Sequence, residues 1–140
     1  MRLLHLDIVS AETEIYSGKA KMIIAEGILG ELGIVYGHSP LLTKLKPGAV
    51  MIRKENDEEE YIYVNGGLLE VQPHAVTILS DTAIRAEDLD ESAAMAAKER
   101  AEHLLNQKHA DFDHTLASAE LAQAIAQLKT IRDLRKKLRV

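Results

Sequence analysis

Cysteine is absent from the 140-residue chain, and so is tryptophan. The first absence removes disulfides and thiolate metal sites and fits a reducing compartment. The second, with only four tyrosines and one phenylalanine, leaves base stacking and aromatic-cage recognition poorly supplied. A basic excess is missing too. The net charge is −5, whereas nucleic-acid binders carry clustered positive charge, so no nucleic-acid partner is expected. No apolar run approaches the roughly 20 residues that span a bilayer. The opening Met1-Arg2-Leu3-Leu4-His5-Leu6-Asp7 meets charge too early for a secretory signal. The expectation is a soluble chain, able to dock on a membrane complex but not to enter the bilayer.

Glycine and proline vanish partway along. All eight glycines and all three prolines precede residue 74. Before about Ala86 the apolar residues alternate. Leu4, Leu6 and Ile8 share one face, with His5, Asp7 and Val9 on the other; Ala20, Met22 and Ile24 repeat the pattern. So do Val50 and Ile52, Ile62 and Val64, Leu69 and Val71, and Val76 and Ile78. Period two over short runs predicts antiparallel strands with one buried face. Gly18, Gly27, Gly30, Gly33, Gly37, Pro40, Pro47-Gly48, Gly66-Gly67 and Pro73 cut the region into about ten short strands. The acidic run 55–60 is expected as a solvated hairpin loop. Residues 1–86 are therefore expected as an all-β sandwich or flattened barrel.

Residues 87–140 change character. Asp88 with Glu91 offers a capping box. Leu89, Ala93, Ala96, Ala97, Arg100, Ala101, Leu104 and Leu105 follow at helical spacing. Asp113 can cap a second helix striped by Leu121, Ala124, Ile125, Leu128, Ile131, Leu134 and Leu138. Helices at about 88–106 and 114–138, joined by a short polar stretch, predict an antiparallel two-helix hairpin and an α+β chain overall. The stripes are thin and alanine-rich. Alanine buries little area, so the hairpin is expected to be weakly held and able to open.

The two helices differ in charge. Residues 86–114 balance to −5 and residues 115–140 to +4, the latter through Lys129, Arg132, Arg135, Lys136, Lys137 and Arg139. Cations favour a helix C-terminus, which accounts for one or two of them. The other reading is a basic finger for an acidic protein surface. Composition leaves both open.

Catalytic signatures are lacking. Gly27, Gly30 and Gly33 do not have nucleotide-loop spacing. Six histidines form neither HxH nor HExxH, and His103, His109 and His114 are expected as solvated side chains by the hairpin bend, with no metal. His38, in Gly37-His38-Ser39-Pro40, has no nucleophile elbow beside it.

An ordered set of stretches resembles the epsilon subunit of bacterial F-type ATP synthases. They are His5-Leu6-Asp7-Ile8-Val9-Ser10-Ala11-Glu12, Gly30-Glu31-Leu32-Gly33-Ile34, Gly37-His38-Ser39-Pro40-Leu41-Leu42-Thr43 and Lys46-Pro47-Gly48. Gly66-Gly67-Leu68-Leu69-Glu70-Val71, Ala83-Ile84-Arg85, Ala117-Ser118-Ala119-Glu120-Leu121-Ala122 and Ala124-Ile125-Ala126 follow. The resemblance implies a non-enzymatic rotor-stalk subunit on the cytoplasmic face of the bacterial inner membrane. It implies a β-domain bound to the gamma subunit and the c-ring, and mobile helices that reach the alpha and beta catalytic subunits and block ATP hydrolysis. By position, the turn bearing Glu31 and Gly33 is similar to the contact with the c-ring polar loops. The loop of His38 and Ser39, with Leu42 after it, resembles the gamma-facing region. The basic end, Arg132, Arg135, Lys136, Lys137 and Arg139, is similar to the inhibitory part, which favours the finger reading.

One departure stands out. Some members bind ATP through Leu/Ile-Asp-x-x-Arg-Ala; here the stretch is Leu89-Asp90-Glu91-Ser92-Ala93-Ala94. Ala93 replaces the arginine, leaving Asp90 and Arg100, the latter two turns beyond Ala93, as the nucleotide-binding candidates. With the motif's cation missing, no cofactor and no tight nucleotide binding are expected. The rival expectations are a small β-barrel enzyme or ligand binder using His38, and a helical-hairpin adaptor of another kind.

Overall fold

A computed structural model describes residues 2–11, 13–106 and 114–138. The chain divides into two compact units, Met1–Ala86 and Glu87–Val140.

The first unit holds eight strands: β1 Leu4–Val9, β2 Glu14–Ala20, β3 Met22–Gly27, β4 Gly30–Val35, β5 Leu41–Arg53, β6 Glu59–Val71, β7 Ala75–Leu79 and β8 Ala83–Arg85. Their order is β2-β1-β7-β6-β5-β3-β4, with β8 beside β6. All pairs are antiparallel except β1 with β7.

Eight strands stand where about ten were expected, because two breakers do not break. β5 runs through Pro47-Gly48 and β6 through Gly66-Gly67, each for 13 residues. Their register holds throughout, from Leu41↔Val71 to Arg53↔Glu59, but the buried face changes at this point. In β5 the core positions pass from Leu45 to Gly48, Val50 and Ile52; in β6 they pass from Ile62, Val64 and Gly66 to Leu69 and Val71. A one-residue phase change reverses which face is buried. The two strands thus bend together and serve both layers of a sandwich. Gly66 and Gly67 take φ of 78° and 138°, a conformation that glycine adopts at little cost. Leu4, Leu6, Ile8, Leu69, Val76 and Ile78 from one layer meet Ile23, Ala25, Ile34, Val50, Ile52 and Ile62 from the other in one core.

Ala20, Met22 and Ile24 do not share the core face. Ala20 is in the core, but β2 ends there and β3 begins at Met22, so the phase resets at Lys21 and Ile23 and Ala25 are buried instead of Met22 and Ile24. The acidic run also divides. Residues 55–58 form the exposed turn, while Glu59 and Glu60 belong to β6.

In the second unit α1 spans Glu91–Asn106 and α2 spans His114–Leu138. The first helix begins later than expected. Ala86–Asp88 makes a 3-10 turn, and the cap is Asp90, not Asp88: Ala93 N–H donates to Asp90 Oδ1 at 3.1 Å and Ala94 N–H to Asp90 O at 3.0 Å. The first bond satisfies an N–H with no intrahelical partner, and the second is the first bond of the helix itself. The expected Asp113 cap lies outside the described residues. The buried positions are Ala94 and Ala101 on α1 and Ala117, Ala124, Thr130 and Ile131 on α2. Sevenfold spacing of alanines makes a narrow coiled-coil-like seam. Ile125 and Leu138 are exposed, so part of the predicted stripe lies off the seam.

Candidate functional site

Two surfaces carry the candidate residues. The first lies on β4 and the turns around it. β3 and β4 are joined through the pair Gly27↔Gly30, which leaves Ile28 and Leu29 at the tip. Leu29 is 95% exposed and Ile28 is exposed as well. Exposed apolar residues at a turn have no folding role, and such groups mark contact sites when they cluster. Sequence reasoning missed this pair, although its signal, two large aliphatics between glycines, was present. Glu31 follows on β4, exposed and opposite Glu26. Gly33 is exposed, and a Cβ there would meet no atom within 4 Å. The glycine is therefore not required by the chain's own packing, and the smooth surface is open to a close-lying partner.

The β4–β5 loop is set by Gly37, whose N–H donates to Pro73 O at 2.8 Å, and by His38 N–H bonding Val35 O at 3.1 Å. The His38 ring Nδ1 lies 2.7 Å from Ser39 O, so the ring serves the loop itself. Ser39 is exposed, and Leu42, exposed on β5, lies over a shallow groove with Pro40, Leu41, Glu70 and Gln72. Glu31 and Gly33 thus sit on one edge strand, while His38, Ser39 and Leu42 follow in the next loop and strand.

The second surface is the far end of the hairpin. Arg132, Arg135 and Lys136 line a groove of about 570 Å³ with Lys98, Glu91, Ile125, Leu128 and Ile131. Lys98 was not anticipated there. The groove joins an apolar floor to a ring of cations, which suits an acidic amphipathic surface. Glu91 alone is acidic among the lining residues. It takes a two-pronged hydrogen bond from Arg135, at 3.1 Å for Nη1 to Oε1 and with Nη2 on Oε2. The bond and the charge of Glu91 hold the Arg135 guanidinium above its usual pKa. Lys137 is half-buried, and Arg139 lies outside the described residues.

The nucleotide candidates are not brought together. Asp90 is occupied as the helix cap. Arg100 lies ten residues on, roughly 15 Å along the axis, exposed and outside the groove. Among the described residues no group of acidic residues and histidines could hold a metal, and no helix is long and apolar enough to cross a membrane. His109 lies outside the described residues.

Both units match known sequences. The family described as "ATP synthase, Delta/Epsilon chain, beta-sandwich domain" covers residues 3–86. Its companion, "ATP synthase, Delta/Epsilon chain, long alpha-helix domain", covers residues 87–132. An ATP synthase epsilon chain of Nitrosococcus oceani is 56% identical over 135 residues, covering 96% of each chain. One from Alkalilimnicola ehrlichii is 55% identical over 137 residues, covering 98% of each. In fold, the chain is similar to one in the Euglena gracilis mitochondrial ATP synthase, with a TM-score of 0.75 at 19% identity, over 99% of this chain and 82% of that one. A chain of the Tetrahymena thermophila central stalk and c-ring matches at 0.63 and 15% identity, over 91% and 96%.

Proposed function

The chain belongs to the ATP synthase delta/epsilon chain family, and we propose that it acts as the epsilon chain of a bacterial F-type ATP synthase. In this role it is a non-catalytic subunit of the central rotor stalk. It helps to couple c-ring rotation to ATP synthesis and restrains ATP hydrolysis through its C-terminal helices. The observation that carries this is the unbroken match of both units, sandwich and helical pair, to one family.

The finer assignments follow the surfaces. The tip at Ile28 and Leu29, with Glu31 and Gly33 beside it, offers exposed apolar and acidic groups to the c-ring polar loops. The loop of His38 and Ser39, with Leu42, faces gamma. Arg132, Arg135, Lys136, Lys137 and Arg139 meet acidic surface on the alpha and beta catalytic subunits. The action is steric and electrostatic, with no bond chemistry: His38 is committed to its own loop, and no nucleotide is needed. The place of work is the cytoplasmic face of the inner membrane, reached through the complex.

The test is to assemble the complex with a chain lacking residues 87–140. Assembly should persist, because the first unit has its own core, and ATP hydrolysis should rise. Unchanged hydrolysis would remove the regulatory role. Failure of residues 1–86 to capture gamma would remove the stalk assignment.

A further inference from the structure

We infer that the Glu91–Arg135 ion pair is the latch of the helical hairpin: it holds the hairpin closed and yields to an acidic protein surface that competes for Arg135. The regulatory consequence rests on the inhibitory role proposed above; the latch itself belongs to this chain alone.

The placement of the pair is the first argument. Glu91 is the first residue of α1, and Arg135 lies in the last turn of α2. The pair therefore ties the end of α2 to the start of α1, at the end of the hairpin opposite the connection between the helices. Separation of antiparallel helices that starts at the open end must break it.

The second argument is how little else holds that end. Toward it the buried seam consists of Ala94 on α1 and of Thr130 and Ile131 on α2. Alanine contributes little burial. Ile125 and Leu138 remain exposed in the closed form. A closed state with so small an apolar gain is decided by small terms. An exposed ion pair is normally such a term, but a two-pronged Arg–carboxylate contact is the stronger kind.

The third argument is the surrounding charge. Lys98, Arg132 and Lys136 line the same groove as the pair. Lys98 is engaged by Glu102 at 3.7 Å. Among the described residues Arg132 and Lys136 have no acidic partner within 4 Å. Glu91 is thus the one acid lining the groove, and of Arg132, Arg135 and Lys136 it engages Arg135 alone. A partner carboxylate can replace it at Arg135 while also gaining Arg132 and Lys136. Opening and capture by an acidic surface are then one exchange of partners, favoured because the incoming surface pairs with more cations than Glu91 does.

The experiment is hydrogen exchange on the full chain, comparing the wild type with Glu91→Gln, Arg135→Gln and the double variant. Each single change should speed exchange in α1 and α2 by roughly two- to fivefold at low salt. The double variant should exchange no faster than the faster single one, because the pair can be broken only once. At about 1 M salt, where screening reaches about 3 Å, the wild type should approach the variants. Additive effects, or exchange indifferent to salt, overturn the latch. ATP hydrolysis by the assembled complex separates this from the inhibitory role. Altered exchange with hydrolysis unaffected even by removal of residues 87–140 keeps the latch and removes the inhibition. Altered hydrolysis with unaltered exchange does the reverse.

Discussion

Gly67 and Leu79 meet backbone against backbone. A Cβ on Gly67 would lie well inside contact distance of the Leu79 carbonyl oxygen, and the Gly67 φ of 138° excludes most side chains on its own account. This contact lies where β6 changes its buried face, so the bend of the sandwich depends on it. Gly67→Ala should lower stability by roughly 3 kcal/mol, the sum of a clash that cannot relax and a strained backbone. Urea unfolding of the full chain measures it. A loss below about 1 kcal/mol would show that the corner has room. Gly33 supplies the contrast, since open space surrounds it and its φ is not positive. Gly33→Ala should leave stability within about 0.5 kcal/mol.

Arg85 fastens the last strand of the sandwich. Its guanidinium pairs with Glu60, which also takes Lys54 at 3.0 Å, and Arg85 Nη2 lies 3.5 Å from Ile15 O. The Glu60 side chain is 19% exposed, so its charge is mostly desolvated. β8 has three residues, all only half-buried, and needs such an anchor. Glu60→Gln should cost roughly 1–2 kcal/mol and speed hydrogen exchange at Ala83–Arg85 ahead of the other strands. Uniform exchange across the sheet would show that β8 is held by its ladder alone.

Much of this fold was legible because alternation along β1, β7 and the halves of β6 is a direct imprint of burial. Leu4, Leu6, Ile8, Leu69, Val71, Val76 and Ile78 are all in the core. The reading failed where local signals were ambiguous. Pro47-Gly48 and Gly66-Gly67 look like strand ends, yet a bend and an end use the same residues, and only the pairing of β5 with β6 distinguishes them. Asp88 and Asp90 both suit a cap, and the 3-10 turn at Ala86–Asp88 decided between them. The charge complementarity of the helices was visible in the counts. The Glu91–Arg135 partnership was not, because it depends on how α2 is aligned against α1. The Glu60 carboxylate looked like one more solvated acid in a run and is instead the partner of two cations.

Leu29 offers the cleanest separation of folding from assembly. At 95% exposure it contributes almost nothing to the chain's own stability, so Leu29→Ser should leave unfolding unchanged within about 0.5 kcal/mol. If the tip seats against the membrane ring, burying a leucine there is worth about 1.5–3 kcal/mol, and the variant should bind the ring-bearing complex roughly 10- to 150-fold more weakly. Unchanged binding would move the contact away from the β3–β4 tip.

Lys21 donates to Asp57 Oδ1 at 2.6 Å. This hydrogen bond, together with the ammonium charge, holds the Asp57 carboxyl below its ordinary range, with Arg53 adding to the effect. A carboxyl whose folded pKa is depressed contributes stability above its unfolded value and loses it as pH falls through the folded one. The contribution is therefore complete at neutral pH and disappears only in acid, below the usual carboxylate range. Asp57 holds a φ of 67° at the turn between Lys54 and Glu58, whose backbones are joined at 2.8 Å. The pair thus ties the β5–β6 turn to the start of β3. Lys21→Ala should raise the Asp57 titration, followed by carboxyl NMR, most of the way to the ordinary range, leaving the part due to Arg53. Stability near pH 7 should barely change, because the contact is made at the exposed Asp57 carboxylate, where it is screened. A titration unmoved by Lys21→Ala would assign the depression to Arg53.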